Sequence, residues 1–437
     1  MRPLGLMLIA AAFILPAMWF SDLAARHDQA ALFSQFLGAC ALIAMGISQL
    51  LATRLSGLEF VFGGLDRIYV LHKWLGIAAL ALVVLHDTID AEMDGLGAET
   101  TITEIAESLG EISLYGLLIL GTVSVLTFVP YHLWKHTHKF MGGFFAASAL
   151  HFAFIQKPFA NGDPLGLYVL AFCGLGVAAY LYSLIPSGTF RGWRPYSIAN
   201  LERTGGALAV TLQPDGRPIR HRAGQFAFVQ FTQPGLTEVH PFTISKAADS
   251  AGLLRFTIKE LGDFTGQLDQ ALEPHALEPG ASVRVSGPFG HFRSRPDSQP
   301  QVWIASGVGI TPFMAWAQAL PETGGPVHLF YSARTRAGAP HLDELEAIAH
   351  EKPNLHLHFV DTQHEARLTA RRILDACGET PAHLHVAFCG PEPMRRSLMR
   401  QFSDAGLPSR RFRFEAFEIR SGLGIRRLVA RLLDSRG

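Results

Sequence analysis

The sequence predicts a multidomain membrane protein: an all-α bundle of six membrane-spanning helices, then an antiparallel β-barrel, then an α/β domain. Three observations predict it. Of 437 residues, 49% are hydrophobic and only 17% charged, where soluble chains carry roughly 25% charge. The long apolar runs all fall before residue 186. After it, short β-rich runs give way to a strand, Gly-rich turn, helix, strand pattern. So apolar a chain is no solvated coil. Its 37 Lys and Arg balance 37 Asp and Glu, leaving no net basic field for nucleic acid. Cys40, Cys173, Cys377 and Cys389 are too scattered for a zinc, haem-attachment or iron–sulfur pattern.

The six apolar runs are 4–20, 31–52, 69–86, 112–130, 140–155 and 165–185, near the length of about 20 residues that crosses a bilayer. Arg2 precedes the first run, as in a cleaved signal peptide, but no clean small-residue cleavage site follows. Residues 87–111 hold eight acidic side chains and no Lys or Arg, whereas the links 54–67 and 135–139 are basic. By the positive-inside rule the basic links are cytoplasmic and the acidic loop faces outward. Six spans then put both termini, and everything after 185, in the cytoplasm.

His72 and His86 lie 14 residues apart on the third span, His138 and His151 13 apart on the fifth. On an ideal helix the first pair returns to within about 40° of one face, roughly 21 Å apart. Spans three and five run in the same direction, so the imidazoles form two levels: His72 with His138 inside, His86 with His151 outside. Two stacked bis-histidine b-type haems satisfy that spacing and offset the cost of polar rings in lipid. The bland use of such rings is hydrogen bonding between helices. Thirteen residues leave His138 and His151 about 140° apart, so the fifth span needs a bend, a π-bulge or tilted haems. His132 and His136, in a basic interfacial stretch, read as surface residues.

In the barrel, runs 224–231, 253–259 and 282–286 read as strands. His240-Pro241-Phe242-Thr243-Ile244-Ser245 offers a rigid edge and a hydroxyl to a flat heterocycle; Lys259 to Thr265, with Gly262 and Asp263, offers a cation and backbone N–H groups to a pyrophosphate. Farther on, 302–305 and 327–331 read as strands around Gly307-Val308-Gly309-Ile310-Thr311-Pro312. Those glycines let backbone approach a phosphate at a helix N-terminus. Ser332, Arg334 and Arg336 follow the next strand without an acid to grip a ribose. That favours a 2′-phosphate, hence NADPH over NADH; the same arginines also suit a solvated strand end. Cys389-Gly390-Pro391 closes a further strand and puts a small thiol and a tight turn near the nicotinamide, although Cys389 equally suits an inert buried position.

Taken in order, the paired histidines, HPFT, GDFT, GPFG, GVGITPF and CGP resemble the NADPH oxidase and ferric reductase family, in its bacterial form, from residue 1 to about 417. The resemblance implies domains at 1–190 (six spans, two haems), 191–297 (FAD-binding barrel) and 298–417 (NADPH-binding α/β domain). His240, Pro241, Phe242, Thr243 and Ser245 would contact FAD, with Lys259, Gly262 and Thr265 at its phosphates. Gly307, Gly309, Thr311, Pro312, Ser332, Arg334, Arg336, Gly390 and Pro391 would line the NADPH site, with Cys389 and the flavin-covering Phe417 as catalytic residues. Electrons would pass from cytoplasmic NADPH through FAD, the inner haem and the outer haem to O2, giving superoxide, or alternatively to ferric iron, in a bacterial inner membrane. No protein partner is required; membrane lipid is the expected surrounding. A channel or scaffold with a degenerate reductase module is the rival from another class, and the intact motifs oppose it. The chain departs from the family in having no basic residue in 31–53 near the outer level, and in continuing past Phe417. There, Ile425, Leu428, Val429, Leu432 and Leu433 make one apolar stripe among arginines, so 418–437 is expected to be a basic amphipathic helix on an anionic membrane surface.

Overall fold

The computed structural model describes residues 2–89, 96, 98, 100–125, 129, 131–185, 192–272, 277–295 and 299–415. Phe417 and the expected helix at 418–437 lie outside them. Two compact units divide the chain, Met1–Pro186 and Ser187–Phe417.

The first unit is helical: α1 (Pro3–Leu23), α2 (Gln29–Ala52), α3 (Ser56–Phe62), α4 (Leu65–Thr88), α5 (Thr101–Val125), α6 (Tyr131–Lys139), α7 (Met141–Phe154) and α8 (Pro164–Leu184). Proline opens α1 and α8, where its missing N–H costs nothing, and the Asp28 carboxylate accepts the Ala31 N–H to cap α2. Among the described residues five helices are long and apolar enough to cross a membrane: α1, α2, α4, α5 and α8. The run expected at 140–155 forms the 14-residue α7. At about 21 Å it falls short of a hydrocarbon core of about 30 Å, and a one-residue break at Phe140 separates it from α6. The break falls between His138 and His151, whose helical phase asks for a bend, a π-bulge or tilted haems. Gly142 sits just past it, with the Tyr180 ring of α8 2.0 Å from where a Cβ would stand.

The fourth run starts earlier than the sequence predicted, at Thr101 and not residue 112, so Glu104, Glu107 and Glu111 lie on helix and not in a loop. Thr100 supplies the reason: its hydroxyl accepts the Thr103 N–H, a capping bond that starts the helix there, and Glu104 then favours the positive end of the dipole. Helix α2 packs on α4 and α8, and α5 packs on α7. The α2–α8 crossing is tight because it is made of glycine. A Cβ on Gly46 would meet the Phe172 carbonyl at 2.5 Å, and one on Gly176 would meet Gly46 Cα at 2.8 Å, the close backbone approach that small residues give membrane helices.

The second unit begins with a six-stranded antiparallel sheet from β1 (Arg194–Thr204), β2 (Ala207–Pro214), β3 (Phe226–Phe231), β4 (His240–Thr243), β5 (Leu254–Lys259) and β6 (Ser282–Phe289). The order is β4-β3-β6-β1-β2-β5, and an Ile244–Phe256 bridge joins its two edges, curling it into a barrel. Alternate residues such as Tyr196, Val210, Val229, Phe256 and Val285 fill the interior. One helix, α9 (Asp263–Gln270), follows β5. The second lobe is a parallel sheet in the order β11-β10-β7-β8-β9, from β7 (Gln301–Ser306), β8 (Val327–Ala333), β9 (Leu355–Asp361), β10 (His385–Cys389) and β11 (Phe412–Glu415). It is flanked by α10 (Thr311–Ala319), α11 (Leu342–Glu351), α12 (Ala370–Cys377) and α13 (Glu392–Asp404). Strands so evenly apolar suit burial on both faces: Val302, Trp303, Ile304 and Ala305 are all fully buried.

Gly176→Leu should lower the melting temperature of the detergent-solubilised protein, since overpacking costs about 1–3 kcal/mol. Gly174→Leu, where a Cβ meets nothing within 4 Å, should leave it within a degree. Equal effects would refute the tight crossing.

Candidate functional site

Each of the four histidines is held by its Nδ1. His72 Nδ1 lies 2.9 Å from the Ser48 carbonyl and His86 Nδ1 2.8 Å from the Ser34 carbonyl, both on α2. His151 Nδ1 lies 2.8 Å from the Ala106 carbonyl on α5. A carbonyl can only accept, so these three nitrogens carry the proton. His138 Nδ1 is 3.0 Å from Ser124 Oγ, whose own proton goes to the Leu120 carbonyl, so here too the ring donates. The other nitrogen of every ring, Nε2, is therefore the one bearing a lone pair, and no hydrogen bond falls on it among the described residues. Fixing one nitrogen to orient the other is how proteins prepare a histidine to ligate.

The spacing supports the same use. The His72 and His138 ring centres are 6.0 Å apart and 73° from coplanar. Two imidazoles on opposite sides of one metal ion, each nitrogen about 2 Å from it, have centres separated by close to that distance. Trp134 stacks on His138 at 5.1 Å. At the other level, glycines make room: a Cβ on Gly38 would stand 3.3 Å from the His86 ring, and one on Gly110 would stand 2.7 Å from His151 Nδ1. Ser34 and Ser48 were not singled out from sequence, yet a signal was present. They too are 14 residues apart, matching His86 and His72. Gly38 and Gly110 carried no such signal.

In the barrel, HPFT is β4, paired with β3 at one end of the strand order. The His240 ring stacks on Phe264 at 3.9 Å and its Nε2 meets Glu238 at 3.0 Å. Thr243 Oγ1 is buried without a hydrogen-bond partner. A buried hydroxyl left unmade is costly, and a flavin edge would satisfy it. Ser245 differs: its hydroxyl is fully buried against the Arg255 carbonyl and Thr257 Oγ1, at 3.1 and 2.9 Å. Thr265 Oγ1 accepts the Leu261 and Gly262 N–H groups at 2.9 and 3.1 Å, so this hydroxyl shapes the turn ahead of α9. Lys259 ends β5 with no ion pair among the described residues.

The nucleotide lobe brings two predicted segments together. Strands β7 and β10 are neighbours where the strand order reverses, the crevice at which open α/β sheets bind ligands. There Gly309 packs against the Cys389 carbonyl, 2.3 Å from where its Cβ would be, and Gly390 packs on Ser306. Gly307 has φ +55° with open space beyond it, and a single 3-10 turn leads into Thr311 and Pro312 at the start of α10. Pro391 precedes α13. Cys389 is fully buried in the apolar core of the lobe, and burial, with Glu415 adding, pushes its thiol well above the ordinary range. Ser332 is buried with its hydroxyl on the Ala305 carbonyl. Arg336 is paired with Glu346, whereas Arg334 is exposed with no ion pair among the described residues. One carboxylate escaped the sequence reading: Asp361 ends β9 opposite Ala333 and is engaged by His364.

Comparisons with known proteins match this division. The model of the "Ferric reductase like transmembrane component" matches residues 37–149, which include three of the four histidines. An "FAD-binding domain" matches 204–293 and an "Oxidoreductase NAD-binding domain" matches 303–400. The chain thus has the architecture of the NADPH oxidase and ferric reductase family: an integral membrane protein and an oxidoreductase with FAD- and NAD(P)-binding domains. A flavohemoprotein of Burkholderia sp. (strain TH2) is 26% identical over 57% of this chain and 65% of its own length. Ferredoxin--NADP reductase B of Sorangium cellulosum (strain So ce56) is 28% identical over 47% of this chain and 88% of its own. Among solved structures, a ferredoxin reductase in carbazole 1,9a-dioxygenase gives a TM-score of 0.44 at 25% identity, over 52% of this chain and 69% of its own. The chain thus spans under two thirds of the Burkholderia flavohemoprotein.

Proposed function

We propose that this protein carries electrons across a membrane, from cytoplasmic NADPH through FAD and two b-type haems to O2 on the outer face, giving superoxide. The observation that carries the reading is the set of four imidazoles held by Nδ1, with a lone pair on each Nε2, and the approach of His72 on α4 to His138 on α6, 6.0 Å between ring centres. His72 with His138, and His86 with His151, would hold the haems. When bound, the flavin takes electrons from NADPH in a pair and releases them singly, and haem iron carries one at a time.

The chain's own residues have narrower tasks. Thr243 offers its unpaired hydroxyl to the flavin, and Pro241 holds the strand edge rigid. Gly307 and Gly309 allow the backbone N–H groups before α10 to approach a dinucleotide phosphate, while Arg334 is the cation left available for a 2′-phosphate. Orientation rests on Lys and Arg: Arg54 and Arg67 in one link and Lys135 and Lys139 in another favour the cytoplasmic side, against none in 87–111. A second reading, reduction of ferric iron outside the cell, is favoured by Glu104, Glu107 and Glu111, exposed on the first turns of α5, where carboxylates can gather a hard cation.

His86→Leu or His151→Leu should abolish one haem and leave absorbance from the other in the reduced-minus-oxidised spectrum. Full haem content in both variants would defeat the ligand assignment. Arg334→Ala should raise the KM for NADPH about ten- to a hundredfold, since a charge-assisted pair is worth about 1.5–3 kcal/mol. The KM for NADH should hardly move; equal losses would give Arg334 a structural role.

A further inference from the structure

The two lobes of the reductase unit are joined by one connected set of polar side chains. From the barrel come Thr204, Ser245, Arg255 and Thr257; from the nucleotide lobe, Gln318, His341 and Glu344. Arg255 grips Glu344 with both terminal nitrogens, at 2.9 and 3.2 Å, and also donates to the Ser245 carbonyl at 2.9 Å. His341 Nδ1 lies 3.2 Å from Glu344, its Nε2 2.7 Å from Thr257 Oγ1, and Thr257 2.9 Å from Ser245 Oγ. Thr257 Oγ1 thus bridges the His341 ring and Ser245 Oγ, and Ser245 Oγ donates its own proton to the Arg255 carbonyl at 3.1 Å. Gln318 donates to Glu344 at 2.8 Å and accepts the Ala247 N–H at 2.7 Å.

Backbone geometry is committed to the same junction. His341 has φ +60°, a left-handed conformation uncommon outside glycine, and donates its N–H to Thr204 Oγ1 at 2.8 Å. Next to Thr204, a Cβ on Gly205 would stand 2.2 Å from the Pro340 nitrogen. Ser245 and His341 are nearly or fully buried. Burial alone would raise the Glu344 carboxyl, but the hydrogen bonds and charges of His341 and Arg255 bring it to about 2. It therefore stays ionised throughout the neutral range.

Both cofactor elements end here. The strand HPFT reaches Ser245 two residues past Thr243, and α10, which starts at the dinucleotide turn, reaches Gln318 near its other end. We propose that Glu344, with Arg255 and His341, is a positioning residue that locks the barrel to the nucleotide lobe and so sets the distance between flavin and nicotinamide. This rests on the reading of the unit as an NAD(P)H-to-flavin reductase. Hydride transfer needs reacting atoms about 3–3.5 Å apart, and an error of about 1 Å can cost a hundredfold.

The test uses the full-length protein in detergent with FAD bound. Anaerobic stopped-flow should show Glu344→Gln lowering the limiting rate of flavin reduction at least tenfold, with the Kd for NADP⁺ within twofold of the unmodified protein. Amide hydrogen exchange should accelerate together in segments 245–258 and 339–345, a readout independent of turnover. Thr257→Val, which keeps the volume and removes one hydroxyl, should shift both measurements the same way by a smaller factor, and carries the test if Glu344→Gln cannot retain flavin. An unchanged limiting rate, or unchanged exchange in both segments, overturns the proposal. If NADPH and NADH reduce no flavin in the unmodified protein, the reductase reading fails, and exchange alone then decides the lock.

Discussion

An imidazole inside a bilayer has no water to bond to, and a polar nitrogen left unpaired in hydrocarbon costs several kcal/mol. That constraint organises the helical unit. Each ring gives its Nδ1–H to an oxygen of an adjacent helix: α4 leans on α2 through Ser34 and Ser48, and α6 and α7 lean on α5 through Ser124 and Ala106. The helix pairs that hydrogen-bond are the pairs that pack, and the bonding fixes which nitrogen each ring presents. Glycine serves the same end, since Gly38 and Gly110 leave the rings the volume a side chain would take.

The reductase unit solves a different problem, that of holding two ligands at a fixed distance on two separately folded lobes. The barrel has its own apolar core, and the core of the nucleotide lobe takes in Phe292, stacked on Trp316 at 4.7 Å, with Ala223 packed against it, so apolar packing also spans the junction. Polar contacts add direction to it, centred on Glu344 and its bidentate pair with Arg255. Glu344 is half-buried and is engaged by Arg255, His341 and Gln318, and such directional bonds specify one arrangement in a way that apolar packing does not.

Much of this was legible in the sequence, for identifiable reasons. Apolar runs and alternating strands announce burial directly, so five of the six expected spans, the barrel and the parallel sheet could be read, and the helix breaks at Phe140, between His138 and His151. The extra turns of α5 were missed because three glutamates conceal a helix that a Thr100 cap begins. Ser245 and Thr265 were legible as polar residues beside a cofactor motif, but not in the direction of their hydroxyls, which turn to the interlobe contacts and to a helix cap. Partners distant in sequence, such as Arg255 and Glu344, leave no local pattern at all.

The central claim is that electrons taken from NADPH on one side of a membrane emerge on the other. Sealed vesicles with the purified protein inserted, NADPH supplied only to the face bearing the reductase unit, and a superoxide probe and a ferric chelate trapped separately on the opposite face test it directly. The account predicts reduction of a trapped acceptor in step with NADPH consumption, together with the spectrum of two reduced b-type haems. NADPH consumption with products confined to the side of addition, or turnover without any haem band, would contradict it.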